Sequence, residues 1–244
     1  MPATVILGLL FTLSATFVSM ALLVRTGFGR VPAITLVPAP LVLYCLWMSA
    51  WFVFENLRQF LLTSISPATG LRLVAFVFLV AAILLVSFVY GCLSVVHQLL
   101  GSAASRWLRR VARVVAPAFA AFLIMGWSGY HFNGDAALLT LQRRVLGYSA
   151  FPLALAVWVW LLIGARGIPD APWRARVTTL SRAYVALFAV VALAATVRDR
   201  LAAVTPPLPL MVDVALVLAY TLITVLWVES VEKAARPSLG VLKP

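Results

Sequence analysis

The side chains with chemical potential in this chain are few, and they gather at the ends of apolar runs. When those runs are laid across a bilayer, four of the seven acidic residues fall at one face: Glu55, Asp135, Asp199 and Asp213. Asn56, Trp127, Tyr130 and His131 fall there too, with Arg58, Arg143, Arg144, Arg198 and Arg200 beside them. Ionisable groups at membrane depth are functional candidates, because burying them in hydrocarbon is costly. Aromatic belts and interfacial charges also occur at the helix ends of any membrane protein. The candidate ligand-binding residues are therefore Glu55, Asn56, Trp127, Tyr130, His131 and Asp213. Glu55 and Asp213 lead the set, since the others fit equally well in water. None carries a catalytic assignment.

Catalytic patterns are hard to complete from the remaining residues. Gly126-Trp127-Ser128-Gly129 resembles the serine motif of rhomboid-type intramembrane proteases, which needs a histidine on another helix to take the serine proton. The only histidines are His97, expected at the opposite membrane face, and His131, three residues beyond Ser128 on the same helix. A retinal Schiff base needs a lysine in the last span, and Lys233 and Lys243 both lie beyond it. Two histidines without an acid cluster fall short of three or four metal ligands. Cys45 and Cys92 sit inside apolar runs and read as small buried side chains, with no disulfide framework between them. The sequence reads as a non-enzyme, with no cofactor.

The element that positions everything else is the run from Leu71 to His97. Its residues 73 to 96 are 24 in a row without a charge, about 36 Å as a helix against a hydrocarbon core of about 30 Å. Across the chain 64% of residues are hydrophobic and 11% charged, with mean hydropathy +1.07, far from a soluble composition. The expected fold is all-α: a single polytopic domain of seven transmembrane helices over 1–244. The spans are Thr4 to Val24, Leu36 to Phe54, Leu73 to Val96, Val111 to Tyr130, Gly147 to Ala165, Thr179 to Val197 and Leu208 to Val228. Pro38 and Pro40 open the second, where a missing N–H costs little; Pro117 interrupts the fourth; Pro152 lies near the start of the fifth. The N-terminus lacks the positive start of a signal peptide and reads as a retained first helix. Small residues that let helix backbones approach line span four at Ala112, Ala116 and Ala120, and span six at Ala186, Ala189 and Ala192.

Thirteen of the nineteen basic residues follow spans one, three, five and seven. The positive-inside rule then places the N-terminus outside and the C-terminus in the cytoplasm, in a multi-pass protein of the cell's inner membrane. The net charge of +12 reads as basic loops facing anionic lipid, and nucleic acid is not an expected partner. Arg106, Arg109, Arg110 and Arg113 form a basic amphipathic start to span four, a candidate contact for the bilayer's anionic headgroups or for a protein partner in the membrane or cytoplasm.

The seven short-looped spans, the third helix LRLVAFVFLVAAILLVSFVY and the passage LSRAYVALFAVVALAATVRDRL…PPLPLMVDVALVLAY resemble the seven-helix membrane modules at the N-termini of some bacterial histidine kinases and helix-turn-helix regulators. That resemblance implies a sensor that passes a signal across the membrane. Residues 229 to 244 are too few for an output domain, so by this resemblance the chain acts through a separate partner, is a truncated relative of a larger receptor, or does something else. The expected mechanism is a ligand-biased shift between two helix packings, pivoting near Pro117. Two other readings stand beside it: a non-catalytic subunit of a membrane complex, and a small-molecule transporter, against which the apolar mid-membrane sequence counts. An enzyme acting on lipid would need clustered acids or histidines.

Overall fold

The computed structural model describes residues 3–27, 36–64, 67–101, 136–204 and 208–240, with positions 114, 117, 118, 121, 122 and 125 in isolation. These residues form helices and no strand: α1 (Ala3–Gly27), α2 (Ala39–Ser64), α3 (Pro67–Leu100), α4 (Ala136–Gly164), a 3-10 turn (Ala165–Gly167), α5 (Ala171–Val204) and α6 (Leu208–Gly240). Five apolar stretches within them are long enough to cross a bilayer: Ile6–Thr26, Ala75–Leu100, Ser149–Gly167, Ala171–Ala194 and Met211–Ala234. A shorter one, Ala39–Trp51, opens α2. The chain is a helical, multi-pass membrane protein. The expected fourth span, with Ala112, Ala116 and Ala120, lies almost wholly outside the described residues.

Local chemistry explains the helix ends. Pro40 sits in the first turn of α2, where the N–H it lacks has no intrahelical partner in any case; the Val42 N–H makes the first helical bond, to Pro38 O at 3.1 Å. Asp170 caps α5. Its Oδ2 accepts the Trp173 N–H at 3.2 Å, while its carbonyl accepts the Arg174 N–H at 2.8 Å, as an N-cap residue does. The Trp173 indole N–H reaches back to Leu99 O at 3.4 Å, covering a carbonyl that the end of α3 leaves open. The helices outrun their apolar cores. α4 begins eleven residues before the expected fifth span, which leaves Pro152 inside the helix, where it removes one i→i−4 bond.

Neighbouring helices pack in a closed order: α1 on α2, α2 on α3, α3 on α4, α4 on α5, α5 on α6, and α6 back on α1. α3 and α4 run parallel. Cys92 lies against Trp158, and eight residues on, Leu100 lies against Gly164 near both C-terminal ends. α2 and α5 run the other way.

α1 is polar inside and apolar outside. Thr12, Thr16, Ser19 and Thr26 are buried, while Leu7, Leu10, Phe17, Val18 and Val24 are exposed. Each buried hydroxyl donates to a carbonyl of its own helix, such as Thr16 to Thr12 O at 2.8 Å and Ser19 to Thr16 O at 2.9 Å. That satisfies the hydroxyl without a neighbour and leaves small side chains at the contact, as helix packing in lipid favours. α5 departs from the sequence expectation. Ala186 and Ala189 are exposed, and the helix turns Val177, Leu180, Tyr184, Leu187, Phe188 and Val191 inward instead. Large side chains fill the bundle's centre better than alanines, so Ala186 and Ala189 face outward, while Ala192 is half-buried against the core.

At Gly91 α3 lies close against α2: a β-carbon there would lie 3.3 Å from Leu43 Cδ1 and 3.6 Å from Pro40 Cα. Gly91→Val should therefore push α2 off α3 and cost about 1–3 kcal/mol as overpacking, read by unfolding in detergent micelles. Gly164→Ala should be near neutral, because the atoms it meets, the Leu100 methyls at 2.9 and 3.0 Å, can rotate away. Equal losses in the two variants would contradict this packing.

Candidate functional site

Five of the six helices send an aromatic side chain to one layer in the middle of the bundle. Tyr44 of α2 lies 5.6 Å from Phe88 of α3 and 5.7 Å from Tyr220 of α6, ring centre to ring centre. Phe188 of α5 lies 5.8 Å from Phe88 and 5.4 Å from Tyr220. Trp158 of α4 lies 4.2 Å from Tyr184 of α5, which meets Tyr220 edge-on at 5.4 Å. These tilted and edge-to-face pairs suit the aromatic quadrupole.

Within the layer runs a short chain of hydroxyls. Thr224 donates to Tyr220 O at 2.8 Å. A hydroxyl has one proton, so in the 2.8 Å contact between Tyr184 and Thr224 the Tyr184 phenol is the donor. Among the described residues the buried Tyr220 hydroxyl has no hydrogen-bond partner, and the buried Trp158 indole lies against the Cys92 thiol. Cys45 and Cys92 are buried free thiols beside this layer, as the sequence reading placed them. Among the described residues the centre is lined by these rings and, these groups apart, chiefly by apolar side chains. Among the described residues no three histidine, cysteine or acidic side chains come together in a way that would hold a metal ion.

The ends of the bundle are charged. At one end Asp213, in the second turn of α6, is 6% exposed. The α2 residues Glu55 and Asn56 belong to the same end, because α2 and α6 run in opposite directions through the Tyr44–Tyr220 contact; their side chains lie outside the described set. Trp127, Tyr130, His131 and Asp135 lie outside the described residues, as do Arg106, Arg109, Arg110 and Arg113 and the Gly126–Gly129 motif. Of the candidate ligand set, the structure thus describes the side chain of Asp213 alone, and places it inside the bundle.

At the opposite end Arg25 of α1 pairs with Glu232 of α6, and Lys233 meets Glu229 at 3.6 Å one turn apart. These four residues line an open recess of about 180 Å³. Sequence reading had put Arg25 and Lys233 at one face but had not joined Arg25 to Glu232. Residues 207 apart carry no local signal of contact. The hydroxyl stripe of α1 was legible as Thr12, Thr16 and Ser19 at helical spacing, and was missed because the run was read for length alone.

No protein-family model, no curated protein and no solved structure matches this chain.

The hydroxyl chain makes an asymmetric prediction. Thr224→Val strands the Tyr184 phenol and should cost about 1–3 kcal/mol, whereas Tyr184→Phe leaves Thr224 bonded to Tyr220 O and should cost about 0.5–1.5 kcal/mol. The double variant should be no worse than Thr224→Val alone. Unfolding of the purified chain in mixed micelles measures all three; additive losses would mean the two hydroxyls do not interact.

Proposed function

We propose that this chain is a sensory module of a bacterial inner membrane, with seven spans, its N-terminus outside and its C-terminus in the cytoplasm, acting through a separate protein partner. The parallel course of α3 and α4 supports seven crossings: α3 ends where Leu100 meets Gly164, and α4 begins at the other end of the bundle. The excess of arginine and lysine at the Arg25 end supports its cytoplasmic placement.

One observation carries the reading. α6 joins a buried carboxylate, Asp213, to the interhelix ion pair of Glu232. The nineteen helical steps from Asp213 to Glu232 make a rod of about 28 Å, close to the hydrocarbon thickness of about 30 Å. A ligand that binds near Asp213, with Glu55 and Asn56 on the same end, biases where α6 sits. A rigid helix carries that bias to the Arg25–Glu232 contact and its recess, where a partner reads it. The pair is half-exposed and worth only about 0.2–1 kcal/mol, so it is weak enough to be switched. Differential affinity for the two positions of α6 is what any ligand must supply. The filled aromatic centre weighs against a transport route through the described helices.

Nitroxide labels at Val24→Cys and Lys233→Cys, with buried Cys45 and Cys92 unlabelled, report the distance between α1 and α6 in nanodiscs. Asp213→Leu should shift that distance by about 1–2 Å, the scale of helix shifts in signalling proteins. An unchanged distance in a folded variant would remove the transmission role of α6. Native purification in mild detergent should yield a stoichiometric partner with a kinase or DNA-binding domain; a solitary protein would overturn the signalling reading.

A further inference from the structure

The turn from α4 to α5 carries a set of arginines that the sensory reading does not use. Arg166, in the 3-10 turn, and Arg174 and Arg182, on α5, are exposed. None of the three forms an ion pair or a side-chain hydrogen bond with a described residue. The nearest acid in the turn, Asp170, is engaged in capping α5.

Position on the helix makes this set specific. Arg174, Thr178, Arg182, Ala186 and Val190 follow at steps of four, so each is a surface neighbour of the next and the row winds about 40° around α5 at every step as it climbs. Arg174, Arg182, Ala186 and Val190 are exposed along it, and Thr178 is half-buried. The strip is cationic and hydroxylic for its first three members and apolar for its last two. Arg182 stands about 12 Å further along the helix than Arg174, inside the apolar stretch Ala171–Ala194. A lipid-facing guanidinium there is costly unless it reaches an anion or the interface. Helical side chains lean toward the N-terminus, the direction in which Thr178 and Arg174 lie and in which a snorkelling arginine reaches the interface. Trp173 holds this end in place through its bond to Leu99 O and its packing on Trp227, 6.0 Å away.

We propose that Arg174, Thr178 and Arg182 bind the phosphate of an anionic phospholipid, whose acyl chain lies along Ala186 and Val190. Two guanidinium forks and a hydroxyl suit a phosphodiester, and the apolar continuation of the same strip selects a lipid over a free phosphate. The site rests on the membrane fold and is independent of the sensory reading.

Native mass spectrometry of the purified chain, released from micelles that hold equal phosphatidylglycerol and phosphatidylcholine, tests it. Phosphatidylglycerol should be retained at least about tenfold over phosphatidylcholine, because both carry the phosphodiester but the choline cation of phosphatidylcholine cancels its net charge and is repelled by two arginines. Arg174→Gln and Arg182→Gln should each remove most of that preference, and Arg182→Lys should retain part of it. Lys233→Gln, at a different basic position, should leave it unchanged. Equal retention of the two lipids, or equal loss in Lys233→Gln, would reduce the site to general surface charge and overturn it. Displacement by inorganic phosphate at tenfold excess would overturn the lipid assignment. Should Arg182→Gln fail to fold, Arg174→Gln, at an exposed position in the first turns of α5, decides the outcome.

Discussion

Helices in a bilayer gain nothing by hiding apolar surface from one another, because lipid tails are as apolar as leucine. What holds this bundle is fit and a few hydrogen bonds, and both converge on the aromatic layer around Tyr220. Tyr44, Phe88, Trp158, Tyr184, Phe188 and Tyr220 come from five helices and interlock at ring distances of 4.2 to 5.8 Å. Large flat side chains supply dispersion contacts at little rotamer cost, which suits a setting without a hydrophobic drive. Their few polar atoms face inward, and the bond from Tyr184 to Thr224 ties α5 to α6.

α1 joins the ring by a different means. It buries Thr12, Thr16, Ser19 and Thr26 beside Leu22 and turns Leu7, Leu10, Phe17, Val18 and Val24 outward, close to the reverse of a soluble amphipathic helix. Because each hydroxyl is satisfied by its own backbone, this face is short and self-sufficient. It lets α1 lie close to α2, where Ser19 meets Cys45, and it leaves the Arg25–Glu232 pair as the only described ionic tie between α1 and α6. α1 is thus held by fit along its length and by a weak, screened contact at its end. Such a contact is suited to being made and broken.

The two ends of the bundle differ in kind. The Asp213 end hides an acid within the helices, while the Arg25 end exposes its charges and carries the arginines of the α4–α5 turn. A buried acid responds to what binds beside it. Exposed arginines respond to the surface they face, and an anionic leaflet offers them phosphate.

The sequence by itself determined the solvent and the elements. An uncharged run such as 73 to 96 has no stable alternative to a membrane helix, since its backbone must satisfy its own hydrogen bonds in hydrocarbon. The distribution of arginine likewise marked Arg25 and Lys233 as residents of one end, and Asp213 stood out because an acid in an apolar run is costly. Tertiary structure decided which faces meet. An almost uniformly apolar helix has no polar side to point outward, so periodicity cannot tell lipid from neighbour: Ala186 and Ala189 read as a packing stripe and face outward, while Phe188 between them fills the core. The pairing of α3 with α4 and of Arg25 with Glu232 joins residues distant in sequence. In lipid such pairings follow from the shapes that interlock, and shape exists only once the helices are assembled.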